Sequence, residues 1–215
     1  MEGTLAGLSD AQTVGQLLMV ELSRTRAEEA LGGVASLHAG NVVLNGPGWN
    51  GHDLVAAASA RLQQLAANNG GVGFLIAGNQ EGGEPGGLQV FYGRGFSPIP
   101  SALQQGAVPP ARLAQEAAIW GSEMAAAGVN LTLAPVLDIV PAGAPSAAIG
   151  RYGREYGHSA GTVVEHATAV VRGLSAAGMG VTLKHFPSLG HIAGNTDFTS
   201  TGITDEVTTA ASPDV

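Results

Sequence analysis

The sequence Lys184-His185-Phe186-Pro187-Ser188-Leu189-Gly190-His191 follows an uncharged run, residues 179–183, which predicts a short β-strand. This strand stops abruptly at Lys184 and His185, and Pro187 prevents its continuation. A buried strand rarely carries a cation that lacks a partner. The pair is therefore a candidate for binding the oxygens of a ligand, since loops on rigid scaffolds often carry function. The alternative is an ordinary strand end followed by turn residues.

Three segments of the chain share one pattern, in which an Ala-rich helix ends at a glycine and a short apolar strand and polar residues follow. The predicted helices cover residues 53–67, 110–127 and 162–177, and the strands after them cover residues 72–77, 129–134 and 179–183. The polar strand exits are Asn79-Gln80-Glu81, Asp138 and Lys184-His185. Such alternation predicts parallel strands with helices outside them. Because ligands bind at the carboxyl ends of such strands, we expect the three exits to meet on one face. The alternative is that strand ends are polar in any case.

The N-terminal part of the chain adds further predicted elements. Ser9 and Gln12 have the spacing of a capping box at the start of a helix. An apolar stripe with roughly helical spacing then predicts that this helix continues; its members are Val14, Leu17, Leu18 and Leu22. A second helix is expected at residues 26–36 and a strand at residues 41–45, whereas the glycine-rich residues 78–99 predict a long loop.

The composition excludes several classes of protein. The 215 residues are 45% hydrophobic and 12% charged, which favours a sizeable core over a disordered chain. A formal net charge of −8 argues against nucleic acid as a partner. The absence of cysteine excludes disulfides. No apolar run is long enough for a membrane span. No signal peptide is visible at the start of the sequence, but this does not exclude export and does not identify the compartment. The histidines lack metal-ligand spacing and no phosphate loop follows the glycines, so we predict neither metal nor cofactor.

Six stretches of the chain resemble glycoside hydrolase family 3, on the side of the bacterial β-N-acetylhexosaminidases. They are Leu8-Ser9-Asp10 through Val20, Gln80-Glu81-Gly82-Gly83, Gly95-Phe96 with Pro100-Ser101-Ala102, Ala134-Pro135-Val136-Leu137-Asp138, Arg154-Glu155-Tyr156-Gly157, and Lys184-His185-Phe186-Pro187. The resemblance implies an α/β fold of the (β/α)8 TIM-barrel type and a retaining mechanism with a carboxylate nucleophile. We expect residues 1–215 to form a single, partial N-terminal domain of this family.

The resemblance also implies roles for individual residues. Arg154 matches the arginine that binds the sugar in the −1 subsite, and Lys184 and His185 match the pair that holds its hydroxyls. Asn79 stands where the family usually has an aspartate, so the lost charge should weaken binding there. Asp138, at a strand exit, completes the predicted substrate-binding residues.

The loop after Lys-His-Phe-Pro departs from the family pattern. Ser188-Leu189-Gly190 replaces the common Gly-His-Gly, and Asn195-Thr196-Asp197 falls on the family's Asp-Ser-His, which places Asp197 at the acid/base histidine. A carboxylic acid there could transfer the same protons if an apolar pocket raised its pKa. The alternative is that Asp197 is simply a loop aspartate.

The family's nucleophile lies downstream of this loop, and residues 204–215 contain no matching motif. We therefore expect residues 1–215 to lack the C-terminal part of the barrel. A second chain or a further C-terminal segment would then complete it. The predicted function is retaining hydrolysis of β-linked N-acetylhexosaminides or related β-glycosides, with a carbohydrate as the partner. The alternative is a non-catalytic sugar-binding protein, or a fragment without the nucleophile.

Overall fold

The structure, a computed structural model, describes residues 2–212. Its Cα positions form two compact units. The first contains residues 2–80, Pro85–Ser97 and Glu123–Thr132, and the second contains Glu81–Glu84, Pro98–Ser122 and residues 133–212.

The described residues contain five strands and seven α-helices. The strands are β1 (Met19–Ser23), β2 (Asn41–Asn45), β3 (Leu75–Gly78), β4 (Leu131–Thr132) and β5 (Gly180–Val181). The helices are α1 (Glu2–Leu5), α2 (Asp10–Gly15), α3 (Ala27–Ser36), α4 (His52–Asn68), α5 (Ala102–Gln105), α6 (Pro110–Ala126) and α7 (Ala160–Ala176). Short 3-10 helices lie at Arg24–Arg26, Gly150–Tyr152 and Thr196–Phe198. Among residues 2–212, no helix is long and apolar enough to cross a bilayer.

Strands β1 to β4 form a parallel sheet in sequence order within the first unit. Val42 and Ile76, which are partners in the register, are both fully buried. The side chain of Asn130, next to β4, accepts a hydrogen bond from the Ile76 N–H at 2.8 Å and donates one to the Phe74 carbonyl at 2.9 Å. These bonds hold the segment before β4 to the start of β3. The parallel register of β1 to β4 confirms the predicted parallel α/β arrangement.

The apolar stripe at residues 14–22 was wrongly predicted to continue one helix. The capping box of Ser9 and Gln12 is present, but α2 ends at Gly15 and β1 begins at Met19. Gly15 packs directly against backbone, since a Cβ there would lie 1.9 Å from the His38 carbonyl oxygen. Residues 19–23 pair with β2 instead, because tertiary hydrogen bonding outweighs a short helical pattern.

Helices α6 and α7 approach closely in the second unit because glycines lie at their contact. A Cβ on Gly173 of α7 would lie 2.2 Å from the Ala114 carbonyl oxygen. A Cβ on Gly121 of α6 would lie 2.8 Å from the Ala177 Cβ. His166 of α7 is buried, and its ring contacts the Val108 carbonyl at 3.1 Å. This histidine is therefore a packing residue.

Two chain segments of the second unit pair in parallel at the predicted site. Thr182 N–H donates to the Ala134 carbonyl at 3.3 Å, and Lys184 N–H donates to the Pro135 carbonyl at 3.2 Å. The carbonyl of Lys184 accepts in turn from Leu137 N–H at 2.6 Å. This pairing, which continues past β5, brings Asp138 beside the Lys-His pair.

Candidate active site

A buried carboxylate, Glu81, lies at the centre of the site. It accepts two hydrogen bonds from Arg154, from Nε to Oε2 at 2.7 Å and from Nη2 to Oε1 at 2.8 Å. Lys184 Nζ lies 2.5 Å from the same Oε1. The exposed fractions of the three side chains are 4% for Glu81, 11% for Arg154 and 15% for Lys184. One carboxylate thus fixes two cations, one of them through the bidentate geometry that guanidinium favours.

The backbone of Glu81 is held by the segment that leads into α5. Gln105 is fully buried, and its Nε2 donates to the Glu81 carbonyl at 2.9 Å and to the Pro100 carbonyl at 2.7 Å. Gly82, with φ of +105°, follows directly, and a Cβ there would lie 2.1 Å from the Pro100 oxygen. Only glycine fits that position, which explains why a glycine follows Glu81.

A second carboxylate, Asp138, fixes His185. His185 Nδ1 lies 2.5 Å from Asp138 Oδ2, while Oδ1 accepts from the Ser188 hydroxyl at 3.1 Å and from Leu189 N–H at 2.6 Å. Because a carboxylate accepts, we assign the Nδ1 proton to the histidine. His185 Nε2 then faces Arg154 Nη2 at 3.5 Å, which joins the two clusters.

The charges of the site shift the pKa values of both carboxyl groups. Burial acts to raise the pKa of Glu81, but hydrogen bonds and charges from Arg154 and Lys184 outweigh it and hold the pKa below 4.5. Burial likewise acts to raise the pKa of Asp138, but its bonds to His185, Leu189 and Ser188 lower it below 3.8. Both groups are therefore ionised at neutral pH.

The two cations respond differently to the same surroundings. Burial acts to lower the pKa of Arg154, but its hydrogen bonds to Glu81 and the charge of that carboxylate raise it above its ordinary value. For Lys184, burial outweighs the attraction of Glu81, and its pKa falls below 10.5. Of the two cations, Lys184 is therefore the one whose charged form the surroundings disfavour.

We expect acid to weaken the fold through these two carboxyl groups. Because their folded pKa values lie below 4.5 and 3.8, their stabilisation is present above those values and is lost as the pH falls through the folded pKa values. The difference in unfolding free energy between the wild type and Glu81→Gln should therefore shrink as the pH is lowered below about 5. Urea unfolding at a series of pH values measures this difference. A difference independent of pH would contradict the ionised Glu81.

Lys184 and His185 have the most exposed side chains of the cluster. The side chain of His185 is 26% exposed and that of Lys184 is 15% exposed, whereas the side chain of Asp138 is fully buried. The cluster offers nitrogen atoms in fixed positions to hydroxyl or carbonyl oxygens. In the described part of the chain, no three His, Asp or Glu side chains are grouped as a metal site requires.

The structure brings together four of the six predicted site residues, namely Asp138, Arg154, Lys184 and His185. Asn79 follows β3 in the first unit, where its carbonyl accepts a hydrogen bond from Val90 N–H at 3.1 Å. Its role in binding stays a prediction.

Asp197 lies in the short helix Thr196–Phe198. Its N–H donates to Asn195 Oδ1 at 2.9 Å, and its side chain is exposed, so no apolar pocket surrounds it in this structure. Its charge nevertheless contributes to raising the pKa of Arg154, so it lies within electrostatic reach of the cluster. Its acid/base role stays a prediction.

Two residues of the cluster were not among the predicted site residues. Glu81 was named as part of a polar strand exit and of a family motif but was given no role, although an acidic residue between a strand and two glycines was an available signal. Ser188 was noted only as a departure from a glycine pattern. In the structure its hydroxyl contacts Asp138 and accepts from Gly190 N–H at 3.1 Å.

Parallel-paired segments that end in a charged cluster are typical of ligand-binding and catalytic α/β proteins. The family model "Glycosyl hydrolase family 3 N terminal domain" matches residues 11–208. The chain therefore belongs to glycoside hydrolase family 3.

Named relatives and a solved structure agree with this family. The chain is 35% identical over 155 residues to a β-hexosaminidase of Vibrio cholerae, an alignment of 71% of this chain and 43% of the relative. It is 40% identical over 149 residues to a β-hexosaminidase of Xylella fastidiosa, with 66% and 41% covered. The crystal structure of the β-N-acetylhexosaminidase from Beutenbergia cavernae superposes with a TM-score of 0.90 at 45% identity, covering 96% of this chain and 62% of that one. The chain thus spans less than two thirds of each of these proteins.

Proposed function

We propose that this chain holds the sugar in a retaining glycosidase that acts on β-linked N-acetylhexosaminides or related β-glycosides. The observation that carries the proposal is the joined cluster, in which Glu81 fixes Arg154 and Lys184 while Asp138 fixes His185. The names of the relatives support the choice of sugar. The proposal treats residues 1–215 as one partial N-terminal domain.

Each residue's proposed role follows from the hydrogen-bond donor or acceptor atoms that its side chain offers to a sugar. Lys184 and Arg154 donate to hydroxyl oxygens of the sugar, and His185 adds a third contact beside them. Asp197 transfers a proton to the leaving oxygen and then takes one from water, as the two steps of a retaining reaction require. A carboxylate nucleophile forms the glycosyl-enzyme between these steps.

Hydrolysis of a chromogenic N-acetyl-β-glucosaminide tests this proposal. The assay uses the chain as printed and a version extended beyond residue 215. We expect Lys184→Ala to lower kcat/KM about a hundredfold, because a buried charge-assisted contact to the sugar is lost. Arg112→Ala is the matched control, since the side chain of Arg112 is 71% exposed and pairs with Glu116 one turn along the same helix. Its activity should equal that of the wild type.

Three outcomes separate the candidate functions. Turnover that Lys184→Ala reduces supports the glycosidase. Binding of N-acetylglucosamine without turnover, again lost in Lys184→Ala, would favour the non-catalytic sugar-binding protein instead. An extended protein that neither cleaves nor binds β-glucosaminides or β-glucosides would contradict both.

A further inference from the structure

A cavity of about 480 Å³ lies in the second unit beside the segment that carries Arg154. It is lined by residues of the stretch 140–158 and by Ala193. The Glu81 cluster comprises the charged and ionisable residues of the site described above, namely Glu81, Asp138, Arg154, Lys184 and His185. None of them lines this cavity. Its volume is within the range of small-molecule sites, so it can hold a ligand distinct from the one at the cluster.

Glu155, which lines this cavity, is a buried carboxylate with one oxygen that lacks a hydrogen-bond partner among the described residues. It is 2% exposed, and its Oε2 has no hydrogen-bond partner among residues 2–212. A buried carboxylate is strongly destabilising unless donors surround it. One oxygen of this carboxylate therefore lacks a donor among residues 2–212, and a ligand in the cavity could supply one.

Three further polar groups line the same cavity. Ser146 is 7% exposed, and its hydroxyl accepts from Gly150 N–H at 3.2 Å while keeping a hydrogen to donate. His158 Nδ1 lies 2.8 Å from the Val140 carbonyl, so this nitrogen carries the proton and Nε2 is left for other contacts. Arg151 is exposed, with its guanidinium 5.6 Å from the ring centroid of Tyr152.

We propose that this cavity, which we call the Glu155 cavity, is a second saccharide site that binds a neutral sugar unit through its hydroxyl groups. A sugar hydroxyl donates to the carboxylate of Glu155 and accepts from Ser146 or Arg151. We expect the ligand to be rich in hydroxyl groups, because the lining offers an acceptor, Glu155, beside a donor, Ser146, and a hydroxyl group can satisfy both. The site goes beyond the proposed function, since nothing in it requires hydrolysis at the Glu81 cluster.

An NMR titration of the full chain with N-acetylglucosamine and with glucose tests the proposal. Backbone amide shifts should change at residues 143–151 as well as near Lys184. Glu155→Gln should weaken the first set of changes about tenfold, since a charge-assisted hydrogen bond is lost. The same variant should melt at a higher temperature without sugar, because an unpaired buried charge has been removed. A merely structural Glu155 would give a lower melting temperature.

Further variants separate loss of sugar binding in the Glu155 cavity from loss of folding. Arg151→Ala alters an exposed side chain and should also weaken binding in the Glu155 cavity, while Arg112→Ala should not. Lys184→Ala should leave the changes at residues 143–151 intact, so failure of the sugar site at Glu81 is distinguishable from failure here. Unchanged binding in Glu155→Gln, or shifts confined to the Glu81 cluster, would overturn the proposal. Shifts at residues 143–151 with methylammonium chloride but with neither sugar would overturn it in favour of a cation site.

Discussion

Glu81→Ala is expected to lower the free energy of unfolding by about 3–5 kcal/mol, because it leaves buried cations without their partner. Arg154 and Lys184 are only 11% and 15% exposed, so water cannot replace the carboxylate fully. Sugar binding should be lost together with stability, since both cations lose the group that fixes their positions. Urea unfolding at neutral pH measures the first effect, and NMR titration with N-acetylglucosamine measures the second.

A matched control separates this effect from the loss of any acidic residue. Glu116→Ala removes a carboxylate that also pairs with an arginine, Arg112, but one on the surface of a helix. Such a pair contributes about 0.3–0.5 kcal/mol, so this variant should be nearly as stable as the wild type. Equal stability of Glu81→Ala and Glu116→Ala would contradict the central position of Glu81.

Asp197→Ala is expected to slow hydrolysis of substrates with poor leaving groups by about two to four powers of ten in the extended protein. Such substrates need a proton on the departing oxygen, whereas activated aryl glycosides need little protonation. Added azide should restore turnover of the activated substrate, because a small anion can attack where water lacks its base. Steady-state kinetics on both kinds of substrate, with and without azide, make this comparison.

The matched control is Glu206→Ala, which removes an exposed carboxylate farther along the same C-terminal segment. It should leave the rates on both substrates unchanged. If Asp197→Ala loses activity equally on both substrates and azide has no effect, Asp197 has a binding or folding role. The proton donor would then be another group.

Much of the fold could be predicted because helices and strands alternate with clear glycine stops. The helix predicted at residues 162–177 is found at Ala160–Ala176, and the strand at residues 41–45 is found at Asn41–Asn45. Strand β1 was missed, because the spacing of Leu17, Leu18 and Leu22 is compatible both with a helix and with a short strand. Only its pairing with β2, a contact between distant residues, decides between the two.

The candidate site was predictable to the extent that its residues stand at strand exits. Asp138, Lys184 and His185 meet because the segments that carry them pair in parallel. A local signal marked Glu81 as a candidate, but its central position depends on which cations the fold brings to it, and the local sequence does not contain that information. Asp197 lies in a short 3-10 helix with an exposed side chain, so its acid/base role rests on its position in the sequence and not on contacts within the fold.

The three hydrogen bonds that Asp138 accepts have a thermodynamic consequence for recognition. They orient His185, Ser188 and the Leu189 backbone before any ligand arrives. Ordering a side chain on binding costs about 0.5–1.5 kcal/mol of conformational entropy, and this loss already belongs to folding here. The histidine is therefore preorganised, and its contact with a sugar is expected to contribute mainly enthalpy to complex formation.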